Sequence, residues 1–287
     1  ADMGLPDMNI GEAVAAGAKT LVIGVANSGG VFSEAWKSVM IEALHAGLDI
    51  ASGLHTLLRD DPDLGAAAAH HGAQLHDVRL PNVRYPIGDG KKRTGKRILA
   101  VGTDCSCGKM YTALALEASM RKAGMKADFR ATGQTGILIT GEGVPLDAVV
   151  ADFMAGAVES LTPADEPDHW DVIEGQGSLF HPSYSGVTMA LIHGGQPDAL
   201  VLAHEPTRTH MRGLPHFDVP DLEELRPLAL QLAKRVNPEA RVIGCAINTA
   251  ALSPEEAEAY LGETEKRLAL PCVDPMRQGA DRLVAAL

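Results

Sequence analysis

Short apolar runs alternate with longer segments of helical spacing along most of the chain. In its first part, apolar runs predict three strands, at residues 20–25, 49–53 and 75–78. The segments between them have apolar positions at helical spacing, over residues 32–46 and, with a proline break, over residues 54–71. Strands that are separated by helices in this way predict a small βαβ domain.

The same alternation continues to the end of the chain and predicts a second, larger domain. The predicted strands are residues 97–101, 127–131, 170–174, 199–203, 241–247 and 270–273. The predicted helices are residues 109–123, 146–161, 183–192, 222–236 and 255–268, followed by a short C-terminal helix. The pattern favours an α/β fold with a doubly wound, mostly parallel sheet of about six strands.

A glycine-rich, basic stretch at residues 88–96 separates the two patterns. Its composition is typical of a connector, so we expect domains at residues 1–90 and 91–287. We interpret the connector as a solvated segment. The alternative is that its basic side chains form an edge that meets ligand phosphates.

Composition agrees with this architecture and excludes several classes of partner. The 287 residues suffice for about two domains, and only 4% are aromatic, so the cores should be aliphatic. The net charge of −12 disfavours nucleic acid and anionic membranes as partners. With no signal-peptide pattern and no apolar stretch of about 18 residues, we expect a soluble cytoplasmic protein that acts on small molecules. We also expect a homo-oligomer.

The four cysteines are Cys105, Cys107, Cys245 and Cys272. They do not resemble a disulfide framework, which fits a reducing compartment. A metal site at Cys105 and Cys107 would need a second pair of ligands nearby, and the sequence offers none. We therefore predict no metal site.

A glycine-rich loop joins the predicted strand at residues 97–101 to the next helix. It consists of Gly102, Thr103, Asp104, Cys105, Ser106, Cys107, Gly108 and Lys109. Strand, loop, lysine and helix in this order are typical of a P-loop, whose backbone amides surround phosphate oxygens. Lys109 and the helix N-terminus add positive potential. The alternative is a glycine-rich turn with a lysine there by chance.

The residue after Lys109 differs from the usual P-loop. That position normally holds Ser or Thr, whose hydroxyl binds Mg²⁺ beside ATP, whereas this chain has Met110. A thioether does not bind a hard cation, and Thr112 lies too far round the helix to replace the hydroxyl. The loop therefore favours a phosphorylated ligand whose phosphates do not react.

Two further groups of polar residues follow predicted strands and should lie at the same sheet edge. Glu174 ends one strand and is followed by glycines; its alternative interpretation is a solvated carboxylate. His204, Arg208 and Arg212 follow the next strand. The two arginines would share a face if that segment is helical, and could bind carboxylates in a bidentate manner. The alternative is an ordinary charged surface loop.

Weaker candidates lie in other loops at the carboxyl ends of predicted strands. Asn248 could contact a base or ribose or simply cap its loop, and Gln134 and Arg130 could contact substrate. We interpret the lone His181 as structural or solvated. The loop at residues 27–29 of the first domain is a further place for an acceptor contact.

The segments from Gly102 to Met110, Glu174 to Ser178 and His204 to Gly213 together resemble one family. This is the D-glutamate N-acetyltransferase family, P-loop proteins catalogued as a domain of unknown function and related to the dethiobiotin synthetase branch. The resemblance extends over nearly the whole chain, including a Rossmann-like N-terminal domain. It implies acetyl transfer from acetyl-CoA to the amine of D-glutamate, in bacterial D-amino-acid catabolism. The residues agree with this, because a loop without the magnesium-binding hydroxyl suits coenzyme A, so we expect residues 102–110 to bind acetyl-CoA without a metal.

The resemblance also suggests roles for the candidate residues. Acetyl transfer needs a base to remove a proton from the amine, and Glu174 and His204 are the candidates. A dicarboxylate acceptor needs cationic contacts, for which Arg208 and Arg212 are the first choice. Direct attack by the amine is favoured over an acetyl-enzyme, although Cys105 and Cys107 leave a covalent route open.

Two other functions remain open from the sequence alone. One is an ATP-dependent ligase of the dethiobiotin synthetase type, against which Met110 argues. The other is a nucleotide-binding regulatory protein without catalysis, in which the Glu, His and Arg residues at the sheet edge would be incidental.

Overall fold

The structure, a computed structural model, describes residues 4–25, 27, 29–81 and 83–287. The chain divides into two compact units, Ala1–Asn82 and Val83–Leu287. Each unit contains a parallel β-sheet flanked by helices, so the predicted α/β class is confirmed. Of the candidate loop at residues 27–29, Ser28 lies outside the described residues.

The N-terminal unit is a three-stranded parallel sheet in the order β1-β2-β3. Its elements are α1 (Ile10–Ala15), β1 (Thr20–Ile23), α2 (Glu34–His45), β2 (Asp49–Ser52), a 3-10 turn (Leu58–Asp60), α3 (Pro62–His71) and β3 (Leu75–Asp77). Met40 and Leu44 of α2 pack with Ile50 of β2 and Leu64 of α3 to form its core. The proline that was expected to break the helix at residues 54–71 is Pro62. It occupies the first position of α3, so this helix begins there.

The C-terminal unit is built on a six-stranded parallel sheet in the order β11-β10-β7-β4-β6-β5. Its strands are β4 (Lys96–Gly102), β5 (Ala127–Arg130), β6 (Trp170–Ile173), β7 (Ala199–His204), β8 (His210–Met211), β9 (Leu214–Asp218), β10 (Arg241–Ile247) and β11 (Cys272–Val273), of which β8 and β9 form a separate hairpin. Its helices are α4 (Lys109–Lys122), α5 (Gln134–Thr140), α6 (Met154–Leu161), α7 (Ser185–Gly195), α8 (Leu222–Val236), α9 (Pro254–Leu268), α10 (Pro275–Gln278) and α11 (Asp281–Val284). None of the described helices is long and apolar enough to cross a membrane.

The order of the strands determines which loops meet. Because β4 lies between β6 and β7, the loops that follow these three strands emerge side by side at the carboxyl edge of the sheet. The residues after β4, β6 and β7 include the phosphate loop, Glu174 and the segment that contains Arg208. The sheet therefore brings together the three segments on which the family resemblance rests.

Some helices differ from their predicted extent. The predicted helix at residues 146–161 is helical only from Met154, and two 3-10 turns, Leu146–Ala148 and Ala151–Phe153, precede it. Leu146 and Val149 are buried in the core, and their spacing of three residues fits 3-10 turns as well as an α-helix. The expected C-terminal helix is interrupted at Gly279, whose φ is 72°.

Arg93 of the basic connector packs against the C-terminal unit, so the expectation of a solvated segment is wrong for this residue. Arg93 donates to the carbonyl oxygens of Thr162 at 2.8 Å and Gly194 at 2.7 Å, and Arg97 is fully buried. Arg97 lies near the amino end of β4, while Gly102 lies at its carboxyl end, roughly 17 Å away for five residues of strand. The alternative, that the basic side chains of the connector form an edge that meets ligand phosphates, stays a prediction.

Candidate functional site: a phosphate loop beside a buried glutamate

The phosphate loop, residues 102–109, folds back on itself between β4 and α4. A Cβ atom at Gly102 would lie 2.5 Å from the Sγ of Cys107, so only glycine fits. Gly108 has a φ of 105°, in the left-handed region that favours glycine, and directly precedes α4. In the part of the chain that the structure describes, the backbone amides of Ser106, Cys107 and Gly108 donate to no protein acceptor. Together with the start of α4, these amides have the geometry that anion-binding sites use.

Lys109 brings a positive charge inside this loop. It is buried, with 5% of its surface exposed. Its Nζ donates to the carbonyl oxygen of Asp104 at 2.7 Å and lies 3.7 Å from the Sγ of Cys107. Because the ammonium group lies against the loop, it is positioned to pair with a phosphate bound there.

The loop offers no hydroxyl at the usual magnesium-ligand position. Met110 stands there and is half-buried. The hydroxyl of Thr112, two residues further on, donates to the carbonyl oxygen of Gly108 at 2.9 Å and so serves the helix itself. The local geometry agrees with a loop that binds phosphate without activating it through a bound magnesium ion.

Glu174 directly follows β6 and is buried, with 5% of its surface exposed. Its Oε2 accepts hydrogen bonds from the backbone amides of Thr132 at 2.8 Å and Gly133 at 3.0 Å. Burial raises the pKa of Glu174, and it outweighs these two hydrogen bonds and the charge of Lys109, which lower it. A buried carboxylate with a raised pKa beside an anion site has the properties of a general base.

The segment around Glu174 is tightly packed. A Cβ atom at Gly175 would lie 1.8 Å from the carbonyl oxygen of Ala100 in β4, so the chain after Glu174 approaches the central strand closely. The amide of Gly133 that binds Glu174 directly precedes α5, and Gln134 is the first residue of that helix. The half-buried Gln134 therefore lies close to Glu174.

His204 ends β7 on the other side of β4. Its Nδ1 lies 2.9 Å from the hydroxyl of the fully buried Thr103. Its ring stacks on Tyr260 of α9, with 6.3 Å between the ring centroids. Burial lowers the pKa of His204, helped by two nearby arginines and against the raising effect of Asp221 and Glu205, so the neutral imidazole is favoured at neutral pH.

Arg208 contacts the phosphate loop itself. Its Nη1 donates to Asp104 Oδ2 at 2.6 Å and to the carbonyl oxygen of Cys105 at 2.6 Å. Its Nη2 donates to Glu205 Oε2 and lies 3.4 Å from the carbonyl oxygen of Ser106. The guanidinium group thus pairs with two carboxylates of this chain. Its assignment as an acceptor contact stays a prediction.

Arg212 lies in a hairpin, so the idea that Arg208 and Arg212 share a helical face is wrong. β8 and β9 pair in antiparallel fashion, and Gly213, with a φ of 80°, lies between them. The backbone amide of Arg212 donates to Asp104 Oδ2 at 2.8 Å, while the residue as a whole is exposed. The hairpin is thereby fastened to the phosphate loop by its backbone.

Arg130 lies at the end of β5, but its side chain turns away from the carboxyl edge. Its Nε donates to Asp171 Oδ1 at 2.6 Å, and Asp171 lies two positions before Ile173, the residue that Arg130 opposes in β6. A second carboxylate, that of Asp128, lies 3.8 Å from its Nη2. Arg130 therefore belongs to an ion-pair network on the sheet, and its role in substrate binding stays a prediction.

One group of potential metal ligands occurs among the described residues, formed by Asp104, Cys105 and His181. The sequence did not indicate that His181, which is buried, would approach the phosphate loop. Asp104 is a poor metal ligand here, since its Oδ1 binds the amide of Cys105 and its Oδ2 binds Arg208. His181 Nδ1 also accepts the amide of Ser183 at 3.2 Å. The cluster is better explained as part of the hydrogen bonding that shapes the loop.

Other residues of the site were missed at the sequence level. Thr132 supplies one of the two amides that bind Glu174, and it follows directly on the predicted strand at residues 127–131, so its position was a usable signal. Tyr260, by contrast, lies within a long amphipathic helix, and nothing local indicates that it stacks on His204.

Both units match known family models. Residues 86–284 match the model described as "Domain of unknown function (DUF1611_C) P-loop domain". Residues 1–81 match the model described as "Domain of unknown function (DUF1611_N) Rossmann-like domain". These matches confirm the predicted pair of domain types.

Similar proteins cover essentially the full chain. The D-glutamate N-acetyltransferase of Tritonibacter scottomollicae is 68% identical over 287 residues, which are 100% of this chain and 86% of that protein. The D-glutamate N-acetyltransferase of a Pseudoalteromonas species is 49% identical over 284 residues, which are 99% and 86% of the two chains. The crystal structure of a DUF1611 family protein from Anabaena variabilis, 38% identical, covers 97% of this chain and 82% of its own, with a TM-score of 0.90.

Proposed function

The chain belongs to the DUF1611 family, and we propose that it transfers an acetyl group from acetyl-CoA to the amine of D-glutamate. The D-glutamate N-acetyltransferases to which it is similar support this activity. The structural observation that carries the proposal is a phosphate loop with Lys109 but no magnesium-binding hydroxyl, placed beside the buried Glu174.

Acetyl-CoA suits this loop because its phosphates are not cleaved. Coenzyme A carries a diphosphate and a 3′-phosphate, which need charge and hydrogen-bond donors but no metal-assisted chemistry. The amides at residues 106–108 and the ammonium group of Lys109 would provide both. Residues 102–110 are therefore assigned to the donor.

In the reaction, the neutral amine nitrogen attacks the thioester carbon, the C–S bond breaks, and the thiolate of coenzyme A leaves. A base must take the proton that the amine loses. Among the described residues, both hydrogen bonds to the Glu174 carboxylate are made to Oε2, so Oε1 is free to accept that proton. The neutral His204 is the second candidate.

Direct attack by the amine is favoured over a covalent acetyl-cysteine. Burial raises the pKa of Cys105, against the charge of Lys109, which disfavours the thiolate that a nucleophile requires. Cys107 is almost fully buried, and its thiol donates to the carbonyl oxygen of Asp104. Both thiols are thus better suited to shaping the loop than to carrying an acetyl group.

For the acceptor, Arg212 and Gln134 are the contacts that the geometry favours. Arg212 is exposed on the hairpin that is fastened to the phosphate loop, and Gln134 lies near Glu174. The sequence also suggested Arg208 and Arg130, but the side chain of each already pairs with acidic residues, which makes them weaker choices for the acceptor.

The activity is tested with acetyl-CoA and a panel of D- and L-amino acids, by following the release of free thiol. We expect turnover with D-glutamate and little with L-glutamate. Activity should persist in EDTA, because no metal hydroxyl ligand follows Lys109. Hydrolysis of ATP that depends on Mg²⁺ would instead favour the ligase. Binding of coenzyme A without thiol release, for every amino acid in the panel, would favour a non-catalytic protein.

A further inference from the structure

The guanidinium group of Arg208 binds acceptors within this chain, whereas a residue that binds substrate would leave donors free for it. The acceptors of its guanidinium group are Asp104 Oδ2, the carbonyl oxygens of Cys105 and Ser106, and Glu205 Oε2. Three of these four acceptors belong to the phosphate loop. The side chain is largely covered, with 20% of its surface exposed.

Asp104 is the centre of this arrangement and is almost fully buried. Its Oδ1 accepts the backbone amide of Cys105 at 2.7 Å. Its Oδ2 accepts both Arg208 Nη1 and the backbone amide of Arg212. A buried carboxylate is stable only when it is paired and hydrogen-bonded, so Asp104 depends on Arg208 for its charge partner.

The contacts to the carbonyl oxygens have a geometric consequence. In a planar trans peptide, the carbonyl of one residue and the amide N–H of the next point in opposite directions. With the carbonyls of Cys105 and Ser106 directed towards Arg208, the amides of Ser106 and Cys107 are directed away from it. These are two of the amides in the described chain that donate to no protein acceptor.

We propose that Arg208 is a positioning residue: it holds the phosphate loop with its amides directed towards the donor phosphates, and it is not an acceptor contact. The proposal rests on the proposed function, because it assigns the loop to acetyl-CoA. Ser106 supports it, since this non-glycine residue has a φ of 53°, a conformation that persists only when surrounding contacts hold it.

The geometry also explains why the residue is arginine. A guanidinium group presents five N–H donors in a rigid planar fork, which can serve a carboxylate on one side and carbonyl oxygens beside it. Lysine has one compact ammonium group and cannot reach the four acceptors together. Lysine at position 208 should therefore not substitute for arginine in this role.

The test compares Arg208→Ala and Arg208→Lys with the full-length protein, by steady-state kinetics with both substrates varied. We expect the KM for acetyl-CoA to rise by about tenfold or more in both variants, with the KM for D-glutamate nearly unchanged. Guanidinium chloride at low millimolar concentration should partly restore Arg208→Ala, while sodium chloride at the same concentration should not.

A matched control is Arg121→Ala. Arg121 also pairs with two carboxylates, those of Glu117 and Asp128, and with one carbonyl oxygen, that of Ala127. It makes these contacts at the other end of α4, so its loss should leave both KM values unchanged. If Arg208→Ala fails to fold, Glu205→Gln replaces it, since that change weakens the hold on Arg208 without altering the loop. A smaller rise in the KM for acetyl-CoA is then expected.

The proposal is overturned if Arg208→Ala raises only the KM for D-glutamate, because Arg208 is then an acceptor contact. Binding of coenzyme A to each variant, measured by calorimetry without an acceptor, separates this failure from a failure of the proposed function. Coenzyme A binding that weakens in Arg208→Ala supports the positioning role even if D-glutamate is not the acceptor. Unchanged binding, with guanidinium having no effect, contradicts it.

Discussion

Lys109 is the residue whose position within its loop most directly implies a role. Its buried ammonium group lies 2.7 Å from a loop carbonyl oxygen, so Lys109→Ala removes the charge without disturbing an exposed ion pair. Since a hydrogen bond to a charged group contributes about 1.5–3 kcal/mol, we expect the KM for acetyl-CoA to rise by at least about tenfold. Steady-state kinetics would measure this KM, and calorimetry would measure the affinity for coenzyme A.

The control for this substitution is Lys122→Ala, which removes a lysine at the other end of the same helix. Lys122 pairs with Asp281 on the surface. Its loss should change neither the KM for acetyl-CoA nor the affinity for coenzyme A. Wild-type affinity for coenzyme A in Lys109→Ala would remove the phosphate loop from the donor site.

Glu174 and His204 can be distinguished as the base by the effect of substituting each residue on the pH dependence of the reaction. A base acts only when deprotonated, so activity falls as the pH drops through its pKa. Burial raises the pKa of Glu174 and lowers that of His204. If Glu174 is the base, activity should therefore fall at a pH above the ordinary pKa of glutamate. If His204 is the base, activity should fall at a pH below the ordinary pKa of histidine.

We expect Glu174→Gln to lower kcat by about 10²–10⁴-fold and to abolish the acid limb of the profile of kcat/KM against pH. The glutamine oxygen can still accept the amides of Thr132 and Gly133, so the fold should be retained, as circular dichroism would show. If the limb persists in Glu174→Gln but disappears in His204→Gln, the base is His204.

A single sequence identifies candidate site residues when their neighbours along the chain define their position. Lys109, Met110 and Glu174 could be recognised because a loop or a strand end defines each position. The pairing of Asp104 with Arg208 could not be predicted, since a single sequence contains no information on distance between remote residues. The spacing of Arg208 and Arg212 even favoured a helix, which Gly213 and the hairpin it permits replace.

Among the elements, strands were easier to predict than short helices. Every strand of the two parallel sheets was indicated within two residues of its observed ends, because a parallel strand buried on both faces is a continuous apolar run. α5 was missed, since it has only seven residues, follows Gly133 and contains Gly136, and glycine is a poor helix former. The hairpin of β8 and β9 was missed because it exposes most of its residues.

The start of α8 contains an ion pair whose contribution depends on pH. Asp221 caps the helix, and Nη1 of Arg267 donates to both of its carboxylate oxygens at 3.0 Å. Against the raising effect of partial burial, hydrogen bonds from Glu223 and Arg267 lower the pKa of Asp221 from 3.8 to about 2. A lowered folded-state pKa stabilises the fold above pH 3.8, and this stabilisation is lost as the pH falls towards 2.

Asp221→Asn isolates this ion pair, because asparagine caps a helix as well as aspartate does. Since both partners are partly exposed, solvent screening limits the expected loss to about 0.5–1 kcal/mol at pH 7. Urea unfolding at pH 7, 3 and 2 would measure this loss. The difference in the free energy of unfolding between wild type and variant should become smaller at lower pH and with added salt. A difference that is constant from pH 7 to 2 would contradict the role of the ion pair.

For the whole molecule, the alternation of strands and helices was sufficient to predict two α/β domains. The order β11-β10-β7-β4-β6-β5 could not be derived from it, since several orders satisfy the same alternation. The domain boundary depended on composition, and the glycines and charges of residues 88–96 placed it at residue 90. Composition does not reveal that Arg93 and Arg97 are held by the C-terminal unit.

Residues 83–90 should accordingly contribute to the stability of the C-terminal unit. Tyr85 packs against its core. The backbone amides of Asp89 and Gly90 donate to Glu159 of α6, at 3.0 and 2.9 Å. The carbonyl oxygen of Gly90 accepts a hydrogen bond from the buried Gln196. A fragment that begins at residue 91 loses all of these interactions, while a fragment that begins at residue 83 retains them.

We therefore expect fragment 83–287 to unfold cooperatively in urea and fragment 91–287 to be less stable by about 3 kcal/mol. This estimate combines the burial of part of one tyrosine with three lost hydrogen bonds, two of them to a charged group. Glu159→Gln in fragment 83–287 is the matched control. It weakens the two amide contacts and also the ion pair of Glu159 with Arg93, 3.9 Å apart, and should still produce a smaller loss, because Tyr85 and the bond to Gln196 remain. Equal stability of the two fragments would instead support a boundary at residue 90, with residues 83–90 contributing nothing to the second domain.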